Sequence, residues 1–298
     1  MGRLKMITRK SKLKITKVLF LLPALSIFMG VMVYPLIFAL FNSFRKYKLT
    51  QLTNVRFVGF DNYVKVLTDH VFLEAILRTV LLAIVLVSVE LAIALFLAVI
   101  LSKTFRGHGL VRSVLVLPIA ATPVVVGLTM RLIFDARIGV TNYLLSLIGI
   151  SGPMWLFDEF WSLASIVLMD IWQWTPFLVI VLLAGILSQP KELHEVALVD
   201  GASSFQITMK ITIPLLKRVM GVGVLIRSTD TLNLFDQIWM LTKGGPGTAT
   251  ETTSVHIYKA GFRFFNFGIA NAMSWIMFLI MMVVVLVIVK RINLLGDD

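Results

Sequence analysis

Apolar residues along this chain gather into long blocks separated by short polar stretches. About 20 consecutive apolar residues are enough to carry a helix through the hydrocarbon core of a bilayer. Six such blocks lie near 18–41, 75–101, 110–134, 161–187, 219–241 and 265–289. The pattern therefore predicts an all-α integral membrane protein with six transmembrane helices in one domain, 18–289, between a basic N-terminal segment 1–17 and a short tail 290–298. The first block is too long for a signal-peptide core and has no small-x-small cleavage site before its polar flank, so it is expected to be retained.

One inter-block segment departs from the rest. Residues 188–218 are amphipathic between Pro190 and Pro214 and are interrupted at Asp200-Gly201-Ala202. This predicts two short helices at the membrane surface, joined by a turn in which Gly201 takes the left-handed conformation that other residues avoid. Ser203 or Ser204 is placed to cap the second of them, from Phe205 to Ile211. The other inter-block segments read as short ordered caps, with turn residues Gly59, Asp61 and Asn62 in one and 149–153 in another.

Composition agrees with a membrane class: 58% of residues are hydrophobic and 15% charged, against roughly 25% charged in soluble domains. No cysteine is present, which excludes disulfides, cysteine-ligated metal sites and thiol nucleophiles. The net charge of +12 is concentrated at the start, where Arg3, Lys5, Arg9, Lys10, Lys12, Lys14 and Lys17 precede the first apolar block. That is the pattern of a cytoplasmic anchor, and nucleic acid is not an expected partner. Placing the N-terminus inside collects Lys103, Arg106, Arg112, Lys191, Lys210, Lys217, Arg218, Lys290 and Arg291 on the same side. The positive-inside rule then predicts that both termini, and the segment 188–218, are cytoplasmic.

Chemistry inside the blocks is sparse. A charged side chain at a helix centre costs about 2.5 to 3.5 kcal/mol on insertion scales, and Glu90, Asp170, Arg227 and Asp230 are the deep ones. Asp170, Gln173, Trp174 and Phe177 fall at i, i+3, i+4 and i+7 of the fourth predicted helix, and Arg227, Asp230, Thr231 and Leu234 repeat that spacing on the fifth. Two facing stripes of carboxylate, amide and indole suit a polyhydroxylated solute. The competing reading is that Arg227 and Asp230 merely neutralise each other as an i, i+3 ion pair. Glu90 reads as a packing or helix-pairing residue. The histidines His70, His108, His194 and His256 are scattered without ligand spacing, and Gly244-Gly245-Pro246 lacks the order of a phosphate loop, so no metal or nucleotide site is expected in this chain.

The run Glu195-Val196-Ala197, then Asp200-Gly201-Ala202, Ile211 and Ile213-Pro214, with Pro190, Glu192 and Leu193 before it, resembles the cytoplasmic EAA loop of ABC importer permeases. Val196 stands where that family usually has Ala, and Ile213 where it often has Leu. Phe235-Asp236, 241–246, Thr250-Glu251-Thr252, Tyr258, Phe262 and Gly268 resemble the outer loop region of sugar importers of the maltose and glycerol-phosphate type, as do residues 57–63. The resemblance implies a type I ABC importer permease subunit that imports a sugar or sugar-like solute. It implies that Glu195, Ala197, Asp200, Gly201, Ala202, Phe205, Ile211 and Pro214 couple to an ATPase, and that the eight stripe residues hold the solute. It also implies a second, related permease, two cytoplasmic ATPase subunits that carry the ATP and magnesium, and an external solute-binding protein. An ion-gradient-driven secondary transporter using Glu90, Asp170 and Asp230 as proton carriers is the alternative.

Overall fold

A computed structural model describes residues 20–103 and 106–292. The basic segment 1–17 and most of the tail 290–298 lie outside the described residues. The helices are α1 (Phe20–Ser43, with a π-helical turn at Met29–Val33), α2 (Asp61–Leu67), α3 (His70–Ser102), α4 (His108–Ala120), α5 (Pro123–Ile133), α6 (Val140–Leu147), α7 (Glu159–Leu187), α8 (Lys191–Val199), α9 (Ser204–Ile207), α10 (Ile213–Leu232), α11 (Asp236–Leu241), α12 (Thr253–Tyr258) and α13 (Phe267–Ile292). The strands β1 (Arg45–Lys46) and β2 (Arg56–Phe57) form a two-stranded antiparallel ribbon. Two compact units result, one from the described part of Met1–Val66 with Ala260–Trp275, the other from Leu67–Lys259 with the described part of Ile276–Asp298.

In the first unit the loop after α1 is held by hydrogen bonds to its backbone, from one side chain and from other backbone groups. Asn62 Nδ2 donates to Ser43 O at 2.7 Å and to Arg45 O at 2.8 Å. Leu49 N donates to Phe265 O, and Gly268 N to Tyr47 O, each at 3.0 Å. The two sequence blocks around Asn62 and Gly268, far apart in the chain, thus build one structure.

The second unit is organised by α3 and α7, which pack along each other. Ala94 and Ala98, four residues apart on α3, let Leu178, Val179 and Leu182 of α7 approach closely; small residues serve this purpose in membrane helix pairs, where lipid supplies no hydrophobic drive. Helix α10 packs on both. On the other side of α7 a cluster of Val126, Phe134, Trp155, Ile166, Met169, Ile238 and Leu241 joins α5 and α11. A Cβ on Gly127 of α5 would lie 2.8 Å from Met240 Cβ and 3.0 Å from Gln237 O, so only glycine allows α5 and α11 this contact.

Four helices among the described residues are long and apolar enough to cross a membrane, namely α1, α3, α7 and α13; α4 with α5 makes a fifth if that bent pair is one span. The expectation of six uninterrupted helices differs at two blocks. The third is broken by 96° between α4 and α5: Pro123 disfavours the helical conformation in the residue before it, and Thr122 is extended with ψ 144°. The fifth stops at Leu232, and α11 restarts only at Asp236. Helix α10 carries Lys217, Arg218, Arg227 and Asp230, which makes it too polar to register as a span by composition. The predicted end of the surface helix near Ile211 also differs. α9, a π-helical turn Thr208–Thr212 and α10 follow without a break; Pro214 comes two residues after the π turn, a local widening of the kind at which a helix accommodates a residue that cannot donate its N–H.

The loop after α11 is anchored to α3. Arg78 Nη1 donates to Glu251 O at 2.8 Å and Thr253 N to Thr79 Oγ1 at 2.9 Å. Glu251 is buried, with Oε1 2.5 Å from His256 Nδ1 and Oε2 paired to Lys259. His256 also lies 3.8 Å from Asp69, so it has the acidic partners that its sequence surroundings do not reveal. Burial pushes the Glu251 carboxyl up, but the hydrogen bonds from His256 and Lys259 and the nearby Lys259 charge outweigh it and hold the group below its ordinary 4.5. A lowered carboxyl pKa stabilises the fold at neutral pH, and that stability is lost as pH falls through the lowered value. The unfolding midpoint of the purified protein is expected to drop more steeply below about pH 4.5 for wild type than for Glu251→Gln. Identical acid profiles would show that Glu251 contributes nothing of this kind.

Candidate functional site

Arg227 sits in the middle of α10, 1% exposed. A guanidinium is always charged and carries five donors, so its burial demands acceptors. Glu90 of α3 supplies two: Arg227 Nε donates to Oε2 at 2.8 Å and Nη2 to Oε1 at 2.9 Å, the bidentate geometry that gives charge-assisted bonds their strength and direction. Asp170 of α7 supplies a third, with Arg227 Nη2 2.6 Å from Oδ2. Glu90 and Asp170 are fully buried. The Arg227 Cζ lies 5.1 Å from the centroid of the Trp174 ring, a cation–π distance. One side chain therefore joins α3, α7 and α10. The opposite Asp170 oxygen, Oδ1, is buried without a hydrogen bond among the described residues.

Asp230, one turn along α10, stands 3.8 Å from Arg227 Nη1 and is half exposed. The close partners of Arg227 are Glu90 and Asp170, with Asp230 at the open edge of the group. Thr231 Oγ1 donates to Arg227 O at 2.9 Å and is buried.

Gln173 belongs to a second node. Its Nε2 donates to Ala121 O at 2.9 Å, the carbonyl left without a helical partner where α4 ends, and its Oε1 accepts from Gln237 Nε2 of α11. It thus ties α7 to both broken blocks. Phe177 packs on the α3–α7 seam. Leu234 packs on the α5–α11 cluster, and its carbonyl accepts from Thr252 Oγ1 at 3.1 Å. Of the eight stripe residues, the structure gathers Asp170, Trp174, Arg227 and Asp230 around one charge, sets Thr231 behind them, and places Gln173, Phe177 and Leu234 on neighbouring packing surfaces.

Sequence reasoning left Glu90 without a partner and did not single out Gln237. A lone acid inside a long apolar block signals that a cation lies opposite, but the residues one turn either side of it, Leu86, Val87, Ile93 and Ala94, are apolar and do not say which helix it faces.

The segment with EAA-like spacing forms a compact tip. Helix α8 ends in a Schellman motif: Ala202 N donates to Ala197 O at 2.9 Å, Gly201 N donates to Leu198 O at 3.1 Å, and Gly201 has φ 79°. Ser203 caps α9 in a capping box with Gln206. Around the turn Val196, Val199 and Phe205 are exposed, Val199 by 87% and Phe205 by 69%, and Glu195 and Asp200 are exposed beside them. Ile211 lies in the π turn and Pro214 at the start of α10. Gln189 Nε2 donates to Thr212 O at 3.1 Å, and His194 Nε2 is 3.3 Å from Thr212 Oγ1; His194 is thus a helical residue bonded across to the π turn.

Replacing Gln173 by Leu would strand the Ala121 carbonyl and the Gln237 amide in apolar surroundings. Each unsatisfied buried group costs about 1–3 kcal/mol, so the unfolding midpoint of Gln173→Leu in detergent is expected to fall clearly below that of wild type. An unchanged midpoint would mean that the break at Ala121 needs no such support.

Known proteins fit this geometry. The trehalose/maltose transport system permease protein MalF of Thermococcus litoralis is 34% identical to this chain, covering 95% of the chain and 96% of the relative. The sulfoquinovosyl glycerol transport system permease protein SmoG of Agrobacterium fabrum is 33% identical, over 94% and 91%. Among solved structures, a bacterial ABC transporter involved in the import of the acidic polysaccharide alginate superposes with TM-score 0.85 at 24% identity, over 96% of this chain and 98% of that one, which establishes a shared fold. The family described as "binding-protein-dependent transport system inner membrane component" matches residues 90–295. That match begins at Glu90 and takes in the whole Arg227 cluster and the Gly201 tip, and the chain belongs to this family of inner membrane transport components.

Proposed function

We propose that this chain is the sugar-conducting permease subunit of an ATP-driven importer, and that the Arg227 cluster carries its solute site while the Gly201 tip receives the force. The observation that carries this reading is helical continuity. The chain is helical from Ser204, just after the tip, to Leu232, just past Arg227 and Asp230. At about 1.5 Å per residue that is a lever of roughly 35 Å from the tip to the cluster. A displacement at one end is delivered to the other without an intervening loop.

The tip has the surface such a role needs. Val196, Val199 and Phe205 form an apolar knob beside Glu195 and Asp200, and it suits a groove on a cytoplasmic ATPase subunit, where ATP and magnesium reside. In this reading the segment 188–218 and both termini are cytoplasmic, and α10 is a sixth crossing whose costly charge is turned inward onto Glu90 and Asp170. A second permease of the same kind completes the channel, and an external binding protein delivers the solute. Relatives named for trehalose, maltose and sulfoquinovosyl glycerol transport support a sugar or sugar-like substrate.

At the cluster, the half-exposed Asp230 and the ring of Trp174 are the groups on offer to a solute, one bonding hydroxyls and the other stacking on a sugar ring. Phe177 and Leu234 extend the apolar wall. Asp170, Gln173, Arg227 and Thr231 hold that wall from behind, and Asp170 Oδ1 keeps a free acceptor. The proton-carrier alternative fits less well, since Glu90 and Asp170 are engaged by Arg227 and only Asp230 stands open.

One reconstituted system tests these roles together. With trehalose and maltose as probes in proteoliposomes containing the whole transporter, Asp230→Asn is expected to lower uptake by a few-fold to about tenfold, the worth of one hydrogen bond to a neutral hydroxyl. Trp174→Ala is expected to lower it further and to change the ratio between the two sugars. Both should leave basal ATPase activity intact. Gly201→Asp, whose Cβ would meet no atom within 4 Å but whose side chain strains the left-handed turn of the tip at φ 79°, should assemble and yet lose ATPase stimulation by loaded binding protein. Variants that change only the amount of assembled transporter and never the sugar ratio would refute the site, and full stimulation in Gly201→Asp would refute the coupling tip.

A further inference from the structure

A cluster of cations in the first unit lies apart from the residues assigned above to solute binding and coupling. β1 and β2 pair with Lys46 directly opposite Arg56, and cross-strand partners project on the same face of a ribbon. Lys48, two residues beyond Lys46 and still extended with φ −116° and ψ 128°, falls on that face as well. The three side chains converge on a cleft of about 320 Å³ that also involves Lys65, Asp61 and Asn266. Lys65 is matched by Asp61 at 2.6 Å. Lys46, Lys48 and Arg56 form no ion pair among the described residues. Like charges placed opposite one another in a ribbon are destabilising, so the arrangement is incomplete without an anion.

The position of the cleft in the chain identifies the anion. Arg45 and Lys46 follow the last turn of α1, and Asn266 directly precedes α13; both helices are long and apolar enough to cross a membrane. The cleft therefore lies where apolar helix gives way to polar loop, at headgroup level. Phe57, Phe60 and Phe264 are exposed by 72%, 70% and 71% in the same unit, apolar surface whose contact with acyl chains is favoured over contact with water. We propose that this cleft binds the phosphate headgroup of an anionic phospholipid, with Lys46, Lys48 and Arg56 neutralising the phosphate and exposed phenylalanines elsewhere in the unit meeting the acyl chains. An acidic protein surface would match the charge but would leave the exposed faces of those rings in contact with polar groups. The site depends on neither the orientation of the chain nor the sugar site, so its failure would leave the proposed function untouched.

The test uses the full-length protein extracted with the complex it forms, in neutral detergent, titrated with phosphatidylglycerol, phosphatidylcholine or inorganic phosphate. Bound lipid is counted by native mass spectrometry, and the unfolding midpoint is followed in parallel. Each cation near an anionic headgroup is worth about fivefold in affinity, so Lys46→Gln/Lys48→Gln/Arg56→Gln should lose phosphatidylglycerol binding by on the order of a hundredfold, and Arg56→Gln alone by about fivefold. The charge-preserving Lys46→Arg/Lys48→Arg/Arg56→Lys should stay within a few-fold of wild type, and Arg137→Gln, distant in sequence and exposed, should match it. Because the Gln substitutions remove a like-charge pair, the lipid-free midpoint should not fall. Undiminished phosphatidylglycerol binding by the triple Gln variant would overturn the proposal. So would equal stabilisation by inorganic phosphate, which would mark a free-anion site, and so would loss of binding-protein docking with lipid affinity unchanged, which would mark a protein contact.

Discussion

A guanidinium that cannot lose its proton is buried in the middle of this protein, and much of the second unit is arranged so that it can stay there. Removing a charge from water is expensive unless close, well-oriented counter-charges and hydrogen bonds meet it. Arg227 on α10 has that company only because Glu90 comes from α3 and Asp170 from α7. The ion cluster fixes which faces of three helices meet, a choice that apolar packing alone leaves loose when lipid is as apolar as the side chains. The alanines of α3 and the leucines of α7 then fill the seam that the charges have set.

The second constraint comes from broken helices. An unpaired carbonyl at membrane depth must be satisfied by protein, and the break between α4 and α5 leaves the Ala121 carbonyl free. Gln173 meets it and, through Gln237, holds the other broken block as well. The Arg227 and Gln173 nodes lie three residues apart on α7, at Asp170 and Gln173. The polar stripe is thus a structural spine, and the groups left open at its edge are Asp230 and the Trp174 ring.

Much of this could be read from the sequence. The apolar blocks at α1, α3, α7 and α13 identified themselves by length, and the left-handed Gly201 and a serine cap at 203 or 204 followed from residue types whose conformational preferences are local; the structure makes it Ser203. Asp170 and Arg227 stood out because charge in an apolar block is costly. What sequence could not supply was pairing at a distance. Glu90 and Arg227 are separated by 137 residues, and no periodicity links them; Ala121 gave no sign of needing Gln173, because the break that frees its carbonyl depends on how Pro123 is accommodated. The fifth block looked continuous to Leu241 because its apolar residues run on through α11, although the helix ends at Leu232. Pro214 looked like an end, yet the helix runs through it by way of the π turn at Thr208–Thr212.

The dependence of the fold on the Arg227 cluster is best measured by comparing Arg227→Leu alone with the variant that also carries Glu90→Leu and Asp170→Leu, using the unfolding midpoint and the free energy derived from it in one detergent. Removing the cation alone leaves two buried carboxylates uncompensated and is expected to cost about 3–5 kcal/mol, whereas removing all three charges is expected to recover most of that loss. A single variant as stable as wild type, or a triple variant less stable than the single, would contradict the view that charge pairing at this point holds α3, α7 and α10 together.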